Sequence, residues 1–303
     1  MSDCLLGSPV RYDGGHKRSA LPHEELAGLF EFVGFCPEMA IGLGTPREPI
    51  RLVGRGTDCA ALGVRSERDV TDLLDAEARR VAPAVGQLSG YIFMPNSPSC
   101  GLHRVKVFAA SGRPEPSGRG VYARALSELL PNLPMEEGER LFDPVVRENF
   151  VLRAFVYAHW QRLWVSQPRA AQLVEFHSRY KYLLMAHSVM HMTSAGRALS
   201  DLSGGADAIA RAGQAYFREL MAGLAQTATR GGHANVLAHL QGYVKQALSL
   251  ADRAELTQLI EDYRRGLQPL RVPLTLLRHH LKQHSSDYAL QQIYLDPHPL
   301  ADN

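Results

Sequence analysis

The strand pattern of this 303-residue chain ends near residue 140. Before that point short apolar runs alternate with amphipathic stretches, so that 88–94 has the character of a buried strand and 69–85 that of a helix. After the prolines and acidic residues of 131–139, only helical periodicity follows. The pattern predicts an α/β domain over residues 1–140, Rossmann-like with a mostly parallel sheet, followed by an all-α helical domain over residues 141–303.

Amphipathic periodicity also predicts the individual helices. In the first domain they are expected at 21–33, 69–85 and 118–130. In the second domain a proline follows a capping aspartate at Asp143-Pro144 and begins a helix that runs to 164. The remaining helices are expected at 168–202, 206–228, 233–250, 252–266 and 273–284.

Composition excludes several classes of protein. The apolar and charged fractions, 45% and 21%, are those of an ordinary water-soluble chain. The first residues lack the basic and apolar regions of a signal peptide, and no uncharged run reaches membrane-spanning length. Four cysteines are too few for a secreted disulfide scaffold. We therefore expect a cytoplasmic protein with no membrane partner.

The net charge of +2 is unevenly distributed. Residues 1–140 carry 16 basic and 18 acidic side chains, whereas residues 141–303 carry 17 basic and 13 acidic ones, together with ten of the thirteen histidines. Most cations of the second domain are arginines, which suit bidentate phosphate contacts. This excess favours a nucleic-acid partner, although a solvated arginine-rich helical surface explains it equally well.

Three of the four cysteines lie in turns that follow short apolar runs or begin polar loops. Cys4 begins C-L-L-G, Cys36 begins C-P-E, and Cys100 lies in N-S-P-S-C-G. Ligands bind at the carboxyl ends of strands in open α/β sheets, so the three thiols are expected to converge at one sheet edge. Without closely spaced C-x-x-C pairs they fit structural zinc poorly and a 4Fe-4S cluster better, with one iron open to a ligand. Cys59 is expected to be a bystander, with a role as fourth ligand left open.

Three ordered motifs within residues 4–130 resemble the thiouracil desulfidase family. They are C-L-L-G at 4–7 with V-R-Y-D-G at 10–14, C-P-E at 36–38 with the glycine, proline and arginine of 42–47, and S-P-S-C-G at 97–101. The resemblance implies that Cys4, Cys36 and Cys100 hold a 4Fe-4S cluster. It further implies removal of sulfur from thiolated uracils by hydrolysis, without net redox change.

Glu38 and Ser97 match the family's proposed proton-handling residues. Each lies two or three residues from a cysteine expected to bind the cluster, so each is within reach of a substrate bound there. The resemblance implies that Glu38 activates water or shuttles its proton, and that Ser97 orients the pyrimidine or relays a proton. Without the resemblance, the sequence fits a surface carboxylate and a turn-stabilising hydroxyl as well.

The glycine-rich turn at 9–18 contains a carboxylate and three cations, a composition that can hold an anionic or heterocyclic ligand. Four polar side chains near the cysteine motifs are expected to contact the substrate: Asp13, Lys17, Arg47 and Ser99.

The second domain resembles the helical domain often fused behind desulfidase domains, like that of tRNA 4-thiouridine desulfidases. The similarity lies at 176–191, 234–237 and 269–280. In such fusions the helical domain is associated with tRNA binding, which implies RNA contacts from Arg179, Lys181 and Arg278. His187 and His191 stand four residues apart, but the glutamate of H-E-x-x-H is absent, so this spacing gives little support for a metal site.

Together these features predict a tRNA 4-thiouridine desulfidase. One alternative is a desulfidase of free thiouracil bases or nucleosides, in which the helical domain makes a homodimer. Another alternative, from a different class, is a non-catalytic iron-sulfur protein that binds RNA as a sensor. Intact Glu38 and Ser97 argue against the sensor, because a sensor needs neither residue.

Overall fold

The structure is a computed structural model that describes residues 1–21, 24–55, 58–109, 114–284 and 287–298. The chain forms two compact units, Met1–Phe150 and Val151–Asn303, which we call the first and the second unit. The boundary falls inside the helix Pro144–Val165, whereas the sequence pattern places it before that helix.

The first unit is a mixed α/β arrangement. Its elements are α1 (Asp3–Leu6), α2 (Pro37–Ala40), β1 (Ile50–Arg55), β2 (Asp58–Gly63), α3 (Thr71–Val85), β3 (Tyr91–Phe93), β4 (Val105–Phe108), β5 (Pro114–Gly118), α4 (Val121–Leu129) and β6 (Met135–Glu137). Four strands form one sheet in the order β2-β1-β4-β5, and β3 pairs with β6 in a second sheet. Helices α3 and α4 begin two and three residues after the predicted starts.

The expectation of a mostly parallel sheet is wrong. Strand β1 is parallel to β4, with Leu52 opposite Val107, and β3 is parallel to β6. The pairs β1–β2 and β4–β5 are antiparallel. Only residues 56–57 separate β1 from β2, and only 109–113 separate β4 from β5, and connections this short join antiparallel neighbours. The first unit therefore has a mixed sheet.

The first unit differs from the sequence pattern in two further places. Strand β5 contains two prolines and escapes sequence-based detection, yet it lies at the edge of its sheet, where proline is tolerated. The helix expected at 21–33 is absent from the described residues of that range, which form turns at 24–29; residues 22 and 23 lie outside the description. Gly28 has φ +79°, a left-handed conformation that ends any helix there.

The first residues of the chain lie between two segments that carry predicted site residues. The Ser2 backbone N–H donates to Ile92 O at 2.8 Å, and Ser2 Oγ accepts the Met94 N–H at 2.9 Å. On the other side, the Asp3 N–H donates to Phe35 O at 3.1 Å. These bonds bring Cys4, Cys36 and the loop after β3 to the same edge of the unit.

The second unit is helical, and no strand occurs among its described residues. After α5 (Pro144–Val165), its helices are α6 (Ala170–His187), α7 (Val189–Ala198), α8 (Gly205–Leu224), α9 (Arg230–Gln241), α10 (Leu250–Arg265), α11 (Arg271–His284) and α12 (Asp287–Leu290). The helix expected at 168–202 is two helices, because Ser188 adopts an extended conformation and its Oγ caps α7 by accepting the His191 N–H. Among the helices of the described residues, none combines the length and apolar character that crossing a membrane requires.

Candidate active site

Three cysteines line one cavity of about 300 Å³ in the first unit. Cys4 lies in the short helix α1, Cys36 immediately precedes α2, and Cys100 lies in the turn after β3. Glu38 and Ser97 line the same cavity. The structure thus brings together five residues from three separate segments of the sequence.

The turn that carries Cys100 is held against the start of α4. The Gly120 N–H donates to Gly101 O at 2.7 Å, and the Ala123 N–H donates to Ser99 O at 3.0 Å. These carbonyls satisfy donors that a helix start leaves without intrahelical partners. A Cβ at Gly120 would lie 2.5 Å from the Ser99 carbonyl, so this close approach requires glycine.

Burial raises the pKa of all three thiols. The pKa of Cys4 rises to about 11, first through desolvation and then through the negative charge of Cys36. Desolvation likewise raises the pKa of Cys36, and it raises that of the fully enclosed Cys100 far above its ordinary value, with Glu38 adding to the effect. Because a thiolate is the form that binds metal, a cationic group in the cavity is needed to ionise these residues.

The donor set fits an iron-sulfur cluster. Thiolates are the soft ligands that iron-sulfur clusters prefer, and three of them face this cavity as free thiols. No histidine is found among the described residues that line it. Within the described ranges, no group of three His, Cys, Asp or Glu side chains is arranged to hold a single metal ion.

Glu38 is held by an arginine. Arg47 Nε and Nη2 donate to Glu38 Oε2 at 2.9 and 2.7 Å. The other Arg47 donors bind the carbonyls of Gly44 and Val10, at 2.6 and 3.0 Å, and the sulfur of Met39 at 3.7 Å. A guanidinium has five N–H donors, and each of them has a partner inside the protein here. Arg47 lines the cavity but holds Glu38 rather than offering donors to a substrate.

Two serines continue the network from Glu38. Ser99 Oγ donates to Glu38 Oε1 at 2.5 Å and lies 2.9 Å from Ser97 Oγ. Ser97 Oγ accepts the Cys100 N–H at 3.1 Å, which also shapes the turn. Ser97 is therefore hydrogen-bonded both to the backbone of a cysteine and to a buried hydroxyl.

The four predicted substrate contacts have different outcomes. Lys17 is exposed and lines the cavity, and its contact with a substrate stays a prediction. Asp13 does not line it; its carboxylate accepts the Gly15 N–H at 3.0 Å and lies 3.7 Å from Arg11 Nε. Ser99 has 0% exposure and cannot contact a substrate. The substrate-contact expectation is thus corrected for Ser99, which is covered by protein, and stays a prediction for Asp13, which stabilises its own turn.

Sequence reasoning missed two cavity residues, Arg11 and Tyr12. The Tyr12 ring is 41% exposed, and the Arg11 guanidinium lies 5.6 Å from its centroid. Both belong to the glycine-rich turn at 9–18, whose composition already indicated a ligand, so the position of Tyr12 in that turn was the available signal. Cys59 lies in β2 opposite Gly54 and does not line the cavity.

The residues expected to contact RNA lie in the second unit. Arg179 is exposed on α6 and Arg278 is half-buried on α11. Lys181 Nζ lies 4.9 and 5.3 Å from the ring centroids of Tyr182 and Tyr288, a double cation–π contact.

The two spaced histidines of α6 and α7 have protein partners. His187 Nδ1 lies 2.6 Å from Gln226 O, and His191 Nδ1 lies 2.8 Å from Glu219 Oε2. Each ring is engaged by a different neighbour, on α8 or just after it.

The profile of the family described as 2-thiouracil desulfurase matches residues 1–138, which contain the cavity and its three cysteines. The chain belongs to the thiouracil desulfidase family. A second profile, described as a protein of unknown function (DUF1722), matches residues 181–299. The desulfidase match thus covers the α/β part of the chain and the second match covers most of the helical part.

Similar proteins match about half of the chain. The uncharacterized protein YbgA of Escherichia coli is 29% identical over 156 residues, covering 52% of this chain and 92% of its own. The uncharacterized protein YbbK of Bacillus subtilis is 35% identical over 135 residues, covering 42% of this chain and 88% of its own. The solved structure of the 4Fe-4S-dependent thiouracil desulfidase TudS is 28% identical, with 47% of this chain and 91% of that chain covered and a TM-score of 0.38.

Proposed function

We propose that this member of the desulfidase family converts 4-thiouridine in tRNA to uridine and releases sulfide by non-redox hydrolysis. The observation that carries the proposal is the convergence of Cys4, Cys36 and Cys100 with Glu38 and Ser97 on one cavity. Family membership supports the reaction class, and the arginine-rich helical unit supports the RNA substrate. A cytoplasmic location belongs to the same proposal, since tRNA and reduced thiols are found there.

Cys4, Cys36 and Cys100 would hold the 4Fe-4S cluster. When bound, this group would supply a Lewis acid that polarises the carbon–sulfur bond of the substrate. Three cysteine ligands suffice for this, because a fourth protein ligand would close the position that a substrate sulfur needs.

Glu38 and Ser97 act on the water and the pyrimidine. Glu38 takes the two protons of the attacking water in turn, the second as the new carbonyl forms, and returns each to the sulfide, which leaves as H2S, so no net proton is gained or lost. Ser97 either orients the pyrimidine through its hydroxyl or relays a proton, and the walls of the cavity exclude other water molecules. A cavity of about 300 Å³ is at the small end of ligand pockets and has to hold the cluster as well, so it has room for a single base at most and none for a folded RNA.

A tRNA therefore has to present its thiolated base out of the stack, as enzymes that act on bases require. The second unit supplies the phosphate contacts in this proposal, with Arg179, Lys181 and Arg278 as candidate residues. Phosphate contacts dominate the affinity of proteins for nucleic acids, and folded RNA is held mainly by its shape and backbone.

The test is anaerobic incubation of reconstituted protein with tRNA containing 4-thiouridine, followed by nucleoside analysis. Free 4-thiouridine and 2-thiouracil are offered in parallel at equal concentration. We expect uridine to form in tRNA with a higher kcat/KM than from the free compounds. Equal or better turnover of free thiouracil would support the alternative substrate class, and cluster-loaded protein that desulfurates none of the three would contradict an enzymatic role.

A further inference from the structure

Ser99 joins the two residues that are expected to handle protons. It contacts Glu38 Oε1 at 2.5 Å on one side and Ser97 Oγ at 2.9 Å on the other. It is completely buried, and its backbone is held by the start of α4. A hydroxyl that cannot reach a substrate but contacts both Glu38 and Ser97 acts through them.

The number of available protons determines which group donates in each hydrogen bond between Ser97, Ser99 and Glu38. A carboxylate only accepts hydrogen bonds, and a hydroxyl has one proton to donate. The single proton of Ser99 is directed to Glu38 at 2.5 Å rather than to Cys100 Sγ at 3.6 Å. Ser97 must then donate to Ser99. Since Ser97 Oγ also accepts the Cys100 N–H, the position it has left for the cavity is one acceptor lone pair.

Arg47 holds Glu38, the last residue of this hydrogen-bond chain. Its two bonds to Glu38 Oε2 leave Oε1 to Ser99, so the two carboxylate oxygens have separate partners. The Arg47 and Glu38 side chains are only 7% and 13% exposed, which keeps water from competing for these bonds. Bonds of this kind to an ionised group are stronger than neutral ones.

We propose that Ser99 is a positioning residue that links Ser97 to Glu38 in a buried hydrogen-bond chain, so that Ser97 faces the cavity as a hydrogen-bond acceptor. The inference rests on the proposed function and assigns to Ser99 and Arg47 roles other than substrate binding. A water molecule that donates to Ser97 Oγ is thereby connected to the Glu38 carboxylate through two hydroxyl groups.

The hydrogen-bond chain from Ser97 through Ser99 to Glu38 can transfer a proton without moving any heavy atom. As water loses a proton to Ser97 Oγ, Ser97 passes its own proton to Ser99, and Ser99 passes its proton to Glu38 Oε1. Each serine oxygen gains one O–H bond and loses one, so only the water and the carboxylate change protonation. The reverse sequence returns the proton from Glu38 to the leaving sulfide.

A double-mutant cycle tests this link in the reconstituted enzyme. Ser99→Ala is expected to lower kcat about 10- to 100-fold with KM little changed, the effect of losing one hydrogen bond to a charged group. In a Glu38→Gln background, the same substitution is expected to cost little more, because residues acting as one unit are non-additive. Iron content and visible absorption are measured for every variant, so that loss of the cluster is separated from loss of turnover.

Two variants serve as comparisons. Ser66→Ala removes a serine that bonds the carboxylate of Glu48 outside the cavity, and it is expected to leave kcat unchanged. Ser99→Thr keeps the hydroxyl and is expected to retain most of the wild-type kcat. Additive losses in the cycle, or a Ser99→Ala variant with a raised KM and normal kcat, would overturn the proposal.

Failure of this inference is distinguishable from failure of the proposed function. If wild-type protein desulfurates no substrate, the function fails, and the link is then judged from thermal unfolding of the same four cluster-loaded proteins. Coupled Tm shifts for Ser99→Ala and Glu38→Gln support the link, and additive shifts contradict it. If Ser99→Ala does not fold, loss of turnover in a folded, cluster-loaded Ser99→Thr variant contradicts the link, and retained turnover supports it.

Discussion

The two units bury polar side chains in different ways. In the first unit, the buried Ser99 and the partly buried Glu38, Arg47 and Ser97 form one hydrogen-bonded network beside a cavity. In the second unit, polar rings are packed among aromatic ones. For example, the ring centroids of His177 and the buried Tyr216 lie 5.5 Å apart. Buried polar groups that are connected around a cavity indicate chemistry, whereas those distributed through an aromatic core indicate packing.

This difference changes the interpretation of the histidines. Burial lowers the pKa of His187 and His177, and it lowers that of His233 to about 4, with the nearby His187 contributing to the last. These rings are therefore neutral at physiological pH and add no positive charge. These three rings therefore contribute no charge to phosphate binding by the second unit.

The two units also carry separate spectroscopic reporters. Both tryptophans of the chain lie in the second unit, where Trp160 stacks on Phe217 with ring centroids 4.9 Å apart. Visible absorption from thiolate-to-iron charge transfer would arise only in the first unit. Fluorescence and visible absorption therefore follow the two units independently.

The largest expected effect is loss of a cysteine from the cavity. Cys100→Ser is expected to abolish both the visible absorption and the turnover of reconstituted protein, because a hydroxyl is a poor ligand for iron in a cluster. Cys59→Ser is the matched control, and it is expected to keep both, since Cys59 lies in β2 away from the cavity. Iron and sulfide content per chain gives the result. Retention of the cluster in Cys100→Ser, or its loss in Cys59→Ser, would contradict the assigned ligands.

The next largest effect concerns residues that line the cavity without binding the cluster. Glu38→Ala and Ser97→Ala are each expected to keep the visible absorption and to lower kcat on the order of 100- to 10,000-fold, the usual loss for a general acid or base. Steady-state sulfide release measures this. A wild-type rate in either variant would remove that residue from the catalytic assignment.

Acid is expected to destabilise the second unit through His233. Its pKa falls from 6.5 in the unfolded chain to about 4 in the fold, so the unfolded state binds the proton more readily. The stabilisation is fully present above pH 6.5 and is lost as the pH falls toward 4, a loss of roughly 3 kcal/mol. Denaturant unfolding followed by tryptophan fluorescence measures it. His233→Asn should flatten this pH dependence, and His279→Gln, at an exposed ring, should not; identical profiles for the two variants would refute the assignment.

The smallest effect is expected at the candidate RNA contacts. Replacing Arg179, Lys181 and Arg278 by Ala together should weaken tRNA binding. It should also lower the slope of log affinity against log salt by about 2 to 3, close to one per phosphate contact. Arg264→Ala is the control, because that guanidinium is paired with Glu261 at 2.6 Å. An unchanged salt slope in the triple variant would place the RNA contacts elsewhere.

Sequence alone located the candidate site because its signals are local. Cys4, Cys36 and Cys100 each lie in a short motif, and Glu38 and Ser97 lie close to those cysteines along the chain. The partners of these residues were hidden because they depend on distant contacts. Ser99 meets Glu38 across 61 positions, and Arg47 uses all its donors inside the protein. The sequence indicated polar residues near a ligand, but it did not show which of their side chains are buried or already bonded within the protein.

The fold was predictable to a similar degree. Helical periodicity identified the second unit and most of its helices, but it did not detect the break at Ser188, which depends on one capping hydroxyl. In the first unit, the strand β3 lies within the apolar run 88–94 that predicted it. Strand β5 was not predicted, because its sequence P-E-P-S-G has no apolar run and the strand is stabilised by its pairing with β4. The antiparallel pairing of neighbouring strands follows from the short connection between them. The length of that connection is unknown when one of the two strands is not predicted.

The most direct test of the account is the origin of the new oxygen in the product. Reconstituted protein is incubated anaerobically, without added reductant or oxidant, with tRNA containing 4-thiouridine in water enriched in the heavy oxygen isotope. The account predicts one labelled oxygen in each uridine formed and one sulfide released for each. Unlabelled uridine, or a reaction that proceeds only when an electron donor or acceptor is supplied, would contradict hydrolysis at this site.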